Sequence, residues 1–99
     1  MRIVFSPQAR ADLRDIFLYI ADDNPAAARA VLKRIRSRIS DLQDSPYLGR
    51  PGRVPGTREL IIAGTPYIIP YQISSDQLRI LRVYHGAGSG RRASTRPGS

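Results

Sequence analysis

His85 is the only histidine in the 99-residue chain. It closes the stretch LRILRVYHG, directly after Tyr84 and three residues after Arg82. An imidazole titrates near neutrality and can take or give a proton. A guanidinium can hold a phosphate or a carboxylate through paired hydrogen bonds. Arg58, earlier in the chain, offers a second such cation. These residue types could act on a phosphodiester, but a structural role competes, because an imidazole at a strand end can simply bond a backbone carbonyl. As a metal ligand His85 has no histidine or cysteine companion, so neither a metal site nor a cofactor is expected. No GxGxxG or P-loop pattern is present, which removes the usual nucleotide signals.

These side chains need elements to position them. Residues 2–5 form a short apolar run that reads as a strand. Ser6-Pro7 supplies an N-cap and a proline for the first helical position. Ala9, Leu13, Ile16, Phe17 and Ile20 then recur at helical spacing. Asn24-Pro25 repeats the start signal, and Ala28, Val31, Leu32, Ile35, Ile39 and Leu42 form a second apolar stripe that ends before Ser45-Pro46. The short link between the stripes predicts an antiparallel helical hairpin. Residues 46–56, PYLGRPGRVPG, are a loop whose Arg50 and Arg53 make it a candidate for binding.

Three strands follow: residues 57–62, 67–73 and 78–84. Short polar or glycine-containing turns between them predict an antiparallel meander. Pro70 falls inside the middle strand and predicts a bulge or an outward-facing position there. Strict alternation along 78–84 puts Leu78, Ile80, Arg82 and Tyr84 on one face and Arg79, Leu81 and Val83 on the other. A helical hairpin must bury its stripe against a sheet. The expected fold is therefore α+β, β-α-α-β-β-β, with both helices on one face of a small antiparallel-dominated sheet. Leu81 and Val83 are expected under the helices, and Arg82 with Tyr84 on the open face.

Composition narrows the classes. The chain carries 16 Lys and Arg against 8 Asp and Glu, for a net charge of +8. Only Glu59 and Asp76 among the acids lie beyond Ser45. A basic domain of this kind calls for an acidic partner. On the second helix, Arg29, Lys33 and Arg36 flank the stripe on one side, and Arg34 and Arg38 on the other. Arg10, Arg14 and Leu18 lie on the first helix, where an outward Leu18 can anchor a partner. No apolar run approaches the ~18 residues of a membrane span, and MRIVFS is too soon interrupted for a signal peptide. A soluble cytoplasmic protein is expected, with no membrane partner.

The blocks RELI, YIIPYQI and ILRVYHG in series, after a helical hairpin ending in SPYLGRPGRVPG, resemble the RelE/ParE superfamily of bacterial toxins. The resemblance covers residues 1–87 as one toxin domain. Residues 88–99, GSGRRASTRPGS after Ala87, depart from the superfamily's usual ending and are expected to form a basic disordered tail. The resemblance implies a type II toxin neutralised by a cognate acidic, ParD-like antitoxin. It implies contact with operator DNA only through that antitoxin. Arg10, Arg14, Leu18, Arg29, Lys33 and Arg36 are the antitoxin-binding candidates.

The superfamily divides by mechanism. RelE-like members cut messenger RNA on the ribosome without metal; ParE-like members inhibit DNA gyrase and are not known as enzymes. Nuclease members typically carry YRxxY in the middle strand, whereas this chain has Tyr67-Ile68-Ile69-Pro70-Tyr71, with Ile68 in the arginine's place. No aromatic follows Tyr84 in the chain. The resemblance therefore implies a ParE-like, non-enzymatic gyrase inhibitor, with Arg82, Tyr84, His85 and Arg58 as target-contact candidates. The alternative is a metal-independent endoribonuclease in which His85, Arg82 and Arg58 are catalytic.

Overall fold

Both helices begin where a side chain replaces a missing backbone partner. A computed structural model describes residues 1–86; the expected tail, 88–99, lies outside the described residues. Ser6 caps helix α1 (Pro7–Ala21): its Oγ accepts from the Ala9 N–H at 2.9 Å and donates to the Leu81 carbonyl at 2.8 Å. Asn24 caps α2 (Pro25–Asp41), its Oδ1 accepting from the Ala27 N–H at 3.1 Å. A proline opens each helix at a position whose N–H would have no intrahelical acceptor.

The strands are β1 (Arg2–Phe5), β2 (Arg50–Pro51), β3 (Arg58–Ile61), β4 (Tyr67–Ile73), β5 (Gln77–Ile80) and β6 (Tyr84–His85). They form one sheet in the order β1-β5-β4-β3-β2, and β6 also pairs with β4. β1 runs parallel to β5, and all other pairs are antiparallel. This is the α+β arrangement expected, with short β2 and β6 added. The β3–β4 turn needs a left-handed residue and has it in Gly64, φ 80°. Arg34 of α2 fastens that turn by donating from Nε to the Ala63 carbonyl at 2.7 Å.

The core lies between the helical hairpin and one face of the sheet. Ala9, Leu13, Leu32, Ile35 and Ile39 meet Leu60, Ile69, Tyr71, Leu78, Ile80 and Val83 there. Full burial of an aliphatic side chain of this size contributes about 1.5–3 kcal/mol. The rim of the core is tied to the loop before β2 through Tyr71, whose hydroxyl accepts from the Gly49 N–H at 2.9 Å and donates to the Pro46 carbonyl at 2.8 Å. A Cβ on Gly49 would stand 2.7 Å from the Glu59 carbonyl oxygen and 2.8 Å from the Tyr71 ring, so only glycine lets the loop approach this closely.

The last strand corrects the expectation of unbroken alternation over 78–84. Tyr71 faces Ile80 and Ile68 faces Tyr84, so the β5–β6 side spans one more residue than β4 between these two pairs. The extra residue is a bulge at Arg82-Val83. The chain leaves β5 with Leu78 and Ile80 buried and Leu81 turned outward, and it re-enters with Val83 buried. Leu78 and Ile80, not Leu81, lie under the helices, so Arg82 on their side is not on the open face; Val83, brought inward by the bulge, and Tyr84, which faces Ile68, agree with the expectation. Pro70 accounts for the site of the bulge. Its carbonyl accepts from the Leu81 N–H at 2.9 Å, so in an antiparallel ladder its missing N–H faces the same neighbour, where pairing stops.

Candidate functional site

Arg82 continues the face of Leu78 and Ile80 toward α1, where Asp12 holds it. Arg82 Nε donates to Asp12 Oδ2 at 2.7 Å and Nη2 donates to Oδ1 at 3.2 Å. The Val83 backbone N–H donates to the same Oδ2 at 2.9 Å. Asp12 is thus both the counter-ion of Arg82 and the cap on a backbone donor that the bulge frees from the ladder. Burial works to raise the Asp12 pKa. The hydrogen bonds from Arg82 and Val83, with the Arg82 charge, outweigh it and leave the carboxyl below the ordinary aspartate value. The bond to Asp12 raises the Arg82 pKa in turn.

Asp12 is buried although the rest of α1's stripe is apolar, and the reading of the sequence passed over it. The signal was its position, three residues after Ala9 and four before Ile16. A carboxylate on the buried face of a helix requires a cation or several donors.

Around this pair lies a groove of about 430 Å3 that includes Asp15, Tyr19, Tyr67, Tyr84 and His85. Tyr67 and His85 are cross-strand partners, and their rings meet edge to face with centroids 5.8 Å apart. Burial, and then the neighbouring Tyr19, push the Tyr67 phenol above its ordinary pKa. His85 is exposed and open to a partner. The fold thus brings Arg82, Tyr84 and His85 together.

Arg58 stands apart from them. It faces Tyr71 on the β3 side of β4, whereas His85 faces Tyr67 on the other side of the strand. Its guanidinium donates to the carbonyls of Gly49 at 2.9 Å and Tyr47 at 3.3 Å and lies 5.3 Å from the Tyr47 ring centroid.

A second groove, of about 420 Å3, runs between the helices. Leu13, Phe17 and Leu32 form its floor, and Arg10, Arg14, Arg29 and Arg36 rim it. Four of the antitoxin-binding candidates therefore converge on one apolar channel. Lys33 lies outside it, beside Arg34 and Arg38, and Leu18 is 58% exposed on α1. This channel suits an apolar segment carrying carboxylates.

The comparisons with known proteins agree with this architecture. A family model described as the ParE toxin of the type II toxin–antitoxin system parDE matches residues 3–89. The Sinorhizobium fredii protein Y4kP is 46% identical over 84 residues, covering 85% of this chain and 86% of its own. Toxin RelE2 of Caulobacter vibrioides is 31% identical over 86 residues, covering 87% of this chain and 96% of its own. Among solved structures, the chromosomal ParDE system from P. aeruginosa contains a chain with a TM-score of 0.78 and 28% identity, matched over 86% of this chain and 95% of that one. No helix among the described residues is long and apolar enough to cross a membrane.

Proposed function

The chain belongs to the ParE toxin family of type II toxin–antitoxin systems, and from that premise we propose that it arrests growth by binding DNA gyrase in the cytoplasm. A cognate acidic, ParD-like antitoxin neutralises it by laying a carboxylate-bearing apolar segment into the channel rimmed by Arg10, Arg14, Arg29 and Arg36. Leu18 and Lys33 extend that contact beyond the channel. Operator DNA is reached only through the antitoxin.

One observation carries the choice of a binding inhibitor over a nuclease: the Arg82 guanidinium is already spent on Asp12 at 2.7 Å. Asp15 lines the same groove and adds a second carboxylate where a phosphodiester would have to sit. Arg58 is likewise engaged with protein carbonyls. Phosphoryl chemistry without metal needs cations free to take up charge on the phosphate. Tyr84, His85 and the exposed part of Arg82 instead contact the target protein, and Arg58 holds the loop before β2.

In a supercoiling assay with purified gyrase, the toxin should inhibit the enzyme, and adding its antitoxin should restore supercoiling. The ribosome-dependent endoribonuclease remains the second reading, favoured by one feature: the exposed imidazole of His85 beside Tyr67. Toeprinting on translating ribosomes checks it. Codon-specific cleavage that disappears in His85→Ala would replace the gyrase reading.

A further inference from the structure

One part of the sheet face away from the helices is apolar where an exposed sheet face is ordinarily polar, and Gln72 opposite Arg79 marks its polar border. Ile61 of β3 stands directly across from Ile68 of β4, and Ile68 from Tyr84 of β6. Pro70 lies two residues on from Ile68 and its carbonyl accepts from Leu81, which alternates outward after buried Ile80. Ile61 is 47% exposed, and Ile68, Pro70 and Leu81 are half-buried. These side chains make an apolar row from β3 across β4 to Leu81 and to Tyr84 of β6, on the opposite side of the sheet from the helical channel.

Charge around the row is of one sign. Arg79 is exposed on the same face, and Arg50 and Arg53 reach it from the β2 loop with side chains 54% and 63% exposed. Glu59, the carboxylate on this face of β3, is 4% exposed. It accepts from Arg50 Nη2 and from the Arg53 N–H, each at 3.2 Å, so it presents no free negative charge.

We infer that this helix-free face is a second docking surface, for a protein segment that is aliphatic at its centre and carries carboxylates at its ends. A contiguous exposed apolar row rimmed by charge marks a protein contact. A nucleic acid fits poorly, because the row's centre offers it no donor and no cation. Tyr84 joins this face to the groove of Arg82 and His85, since it pairs with Ile68 and also lines that groove. The segment is therefore assigned to the toxin's target, leaving the helical channel to the antitoxin. The assignment rests on the reading of the chain as a toxin that acts by binding a protein.

The test is Ile61→Glu, which places a carboxylate at the most exposed point of the row, with Arg79→Glu as a second variant on the rim. Each is produced with its antitoxin and separated from it, and folding is checked by circular dichroism. Growth arrest, inhibition of purified gyrase and antitoxin affinity are then measured. We expect Ile61→Glu to need at least tenfold more protein for the same growth arrest, Arg79→Glu to lose several-fold, and both to keep antitoxin affinity within twofold. Wild-type potency in both variants overturns the assignment, and so does a parallel loss of antitoxin affinity in folded protein. If wild type inhibits gyrase and the folded variants inhibit it equally, the surface fails and the gyrase reading survives. If the variants lose growth arrest while wild type leaves gyrase untouched, the surface stands and the gyrase reading fails. A wild-type chain without any growth effect removes both.

Discussion

Asp12 joins two parts of the chain separated by 70 residues, and its carboxylate serves four donors at once, Gln8 Nε2 among them. Removing it in Asp12→Ala frees the Arg82 head to water, because that side chain is 49% exposed, but leaves the Val83 N–H buried without its acceptor. The expected loss is about 2 kcal/mol, the range for a hydrogen bond to a charged group tempered by screening at the arginine, measured by urea unfolding. The pH dependence has a definite sign. A carboxyl whose folded pKa lies below its unfolded value adds stability that is fully present above the unfolded value and is lost as pH falls through the folded one. The stability gap between wild type and Asp12→Asn should thus be flat at neutral pH and shrink on acidification below about pH 4. A gap independent of pH would mean that the carboxylate's charge contributes nothing. Tyr71→Phe tests the other single-residue tie. It strands the Gly49 N–H and the Pro46 carbonyl and should cost about 1–3 kcal/mol, with the loop before β2 losing hydrogen-exchange protection first.

At the scale of elements, the helical hairpin concentrates Arg10, Arg14, Arg29 and Arg36 because two antiparallel helices align their flanking positions across a shared apolar floor. Arg14→Glu with Arg29→Glu should weaken antitoxin binding by tenfold or more in a calorimetric titration while leaving the unfolding midpoint nearly unchanged. An unaltered affinity would move the antitoxin elsewhere. The hairpin itself was legible in the sequence, since Ser6-Pro7 and Asn24-Pro25 are local signals and each stripe reports its own buried face. The alternation in Tyr67–Ile73 was legible for the same reason, and the core strand runs over those residues. The faces of the last strand were not. Both faces of 78–82 carry apolar residues, so which one meets the helices is not written in the strand, and from Val83 on a bulge beside Pro70 of the neighbouring strand shifts the side-chain phase by one residue. The parallel pairing of β1 with β5 and the Asp12–Arg82 pair were hidden by distance along the chain. Four of the basic residues expected to bind antitoxin could be grouped from helical spacing, whereas the separation of Arg58 from His85 depends on which neighbour of β4 each strand becomes.

For the whole molecule, the governing quantity is a net charge of +8, to which residues 1–86 contribute 13 Lys and Arg against 8 Asp and Glu. Fields from exposed guanidiniums add at long range, so an acidic antitoxin should be steered before any side chain touches. Screening shortens that reach to about 8 Å at physiological ionic strength. Raising salt from roughly 0.05 to 0.5 M should therefore slow association by about tenfold and change dissociation by less than about twofold, as read by stopped-flow fluorescence with a labelled antitoxin. Position then separates steering from contact. Arg79→Ala, on the face away from the channel, should lower the association rate slightly and leave dissociation alone. Arg14→Ala, on the channel rim, should speed dissociation as well. If both substitutions act alike on both rates, the channel is no more than one part of a diffuse positive surface, and the antitoxin is held by overall charge rather than by the groove between the helices.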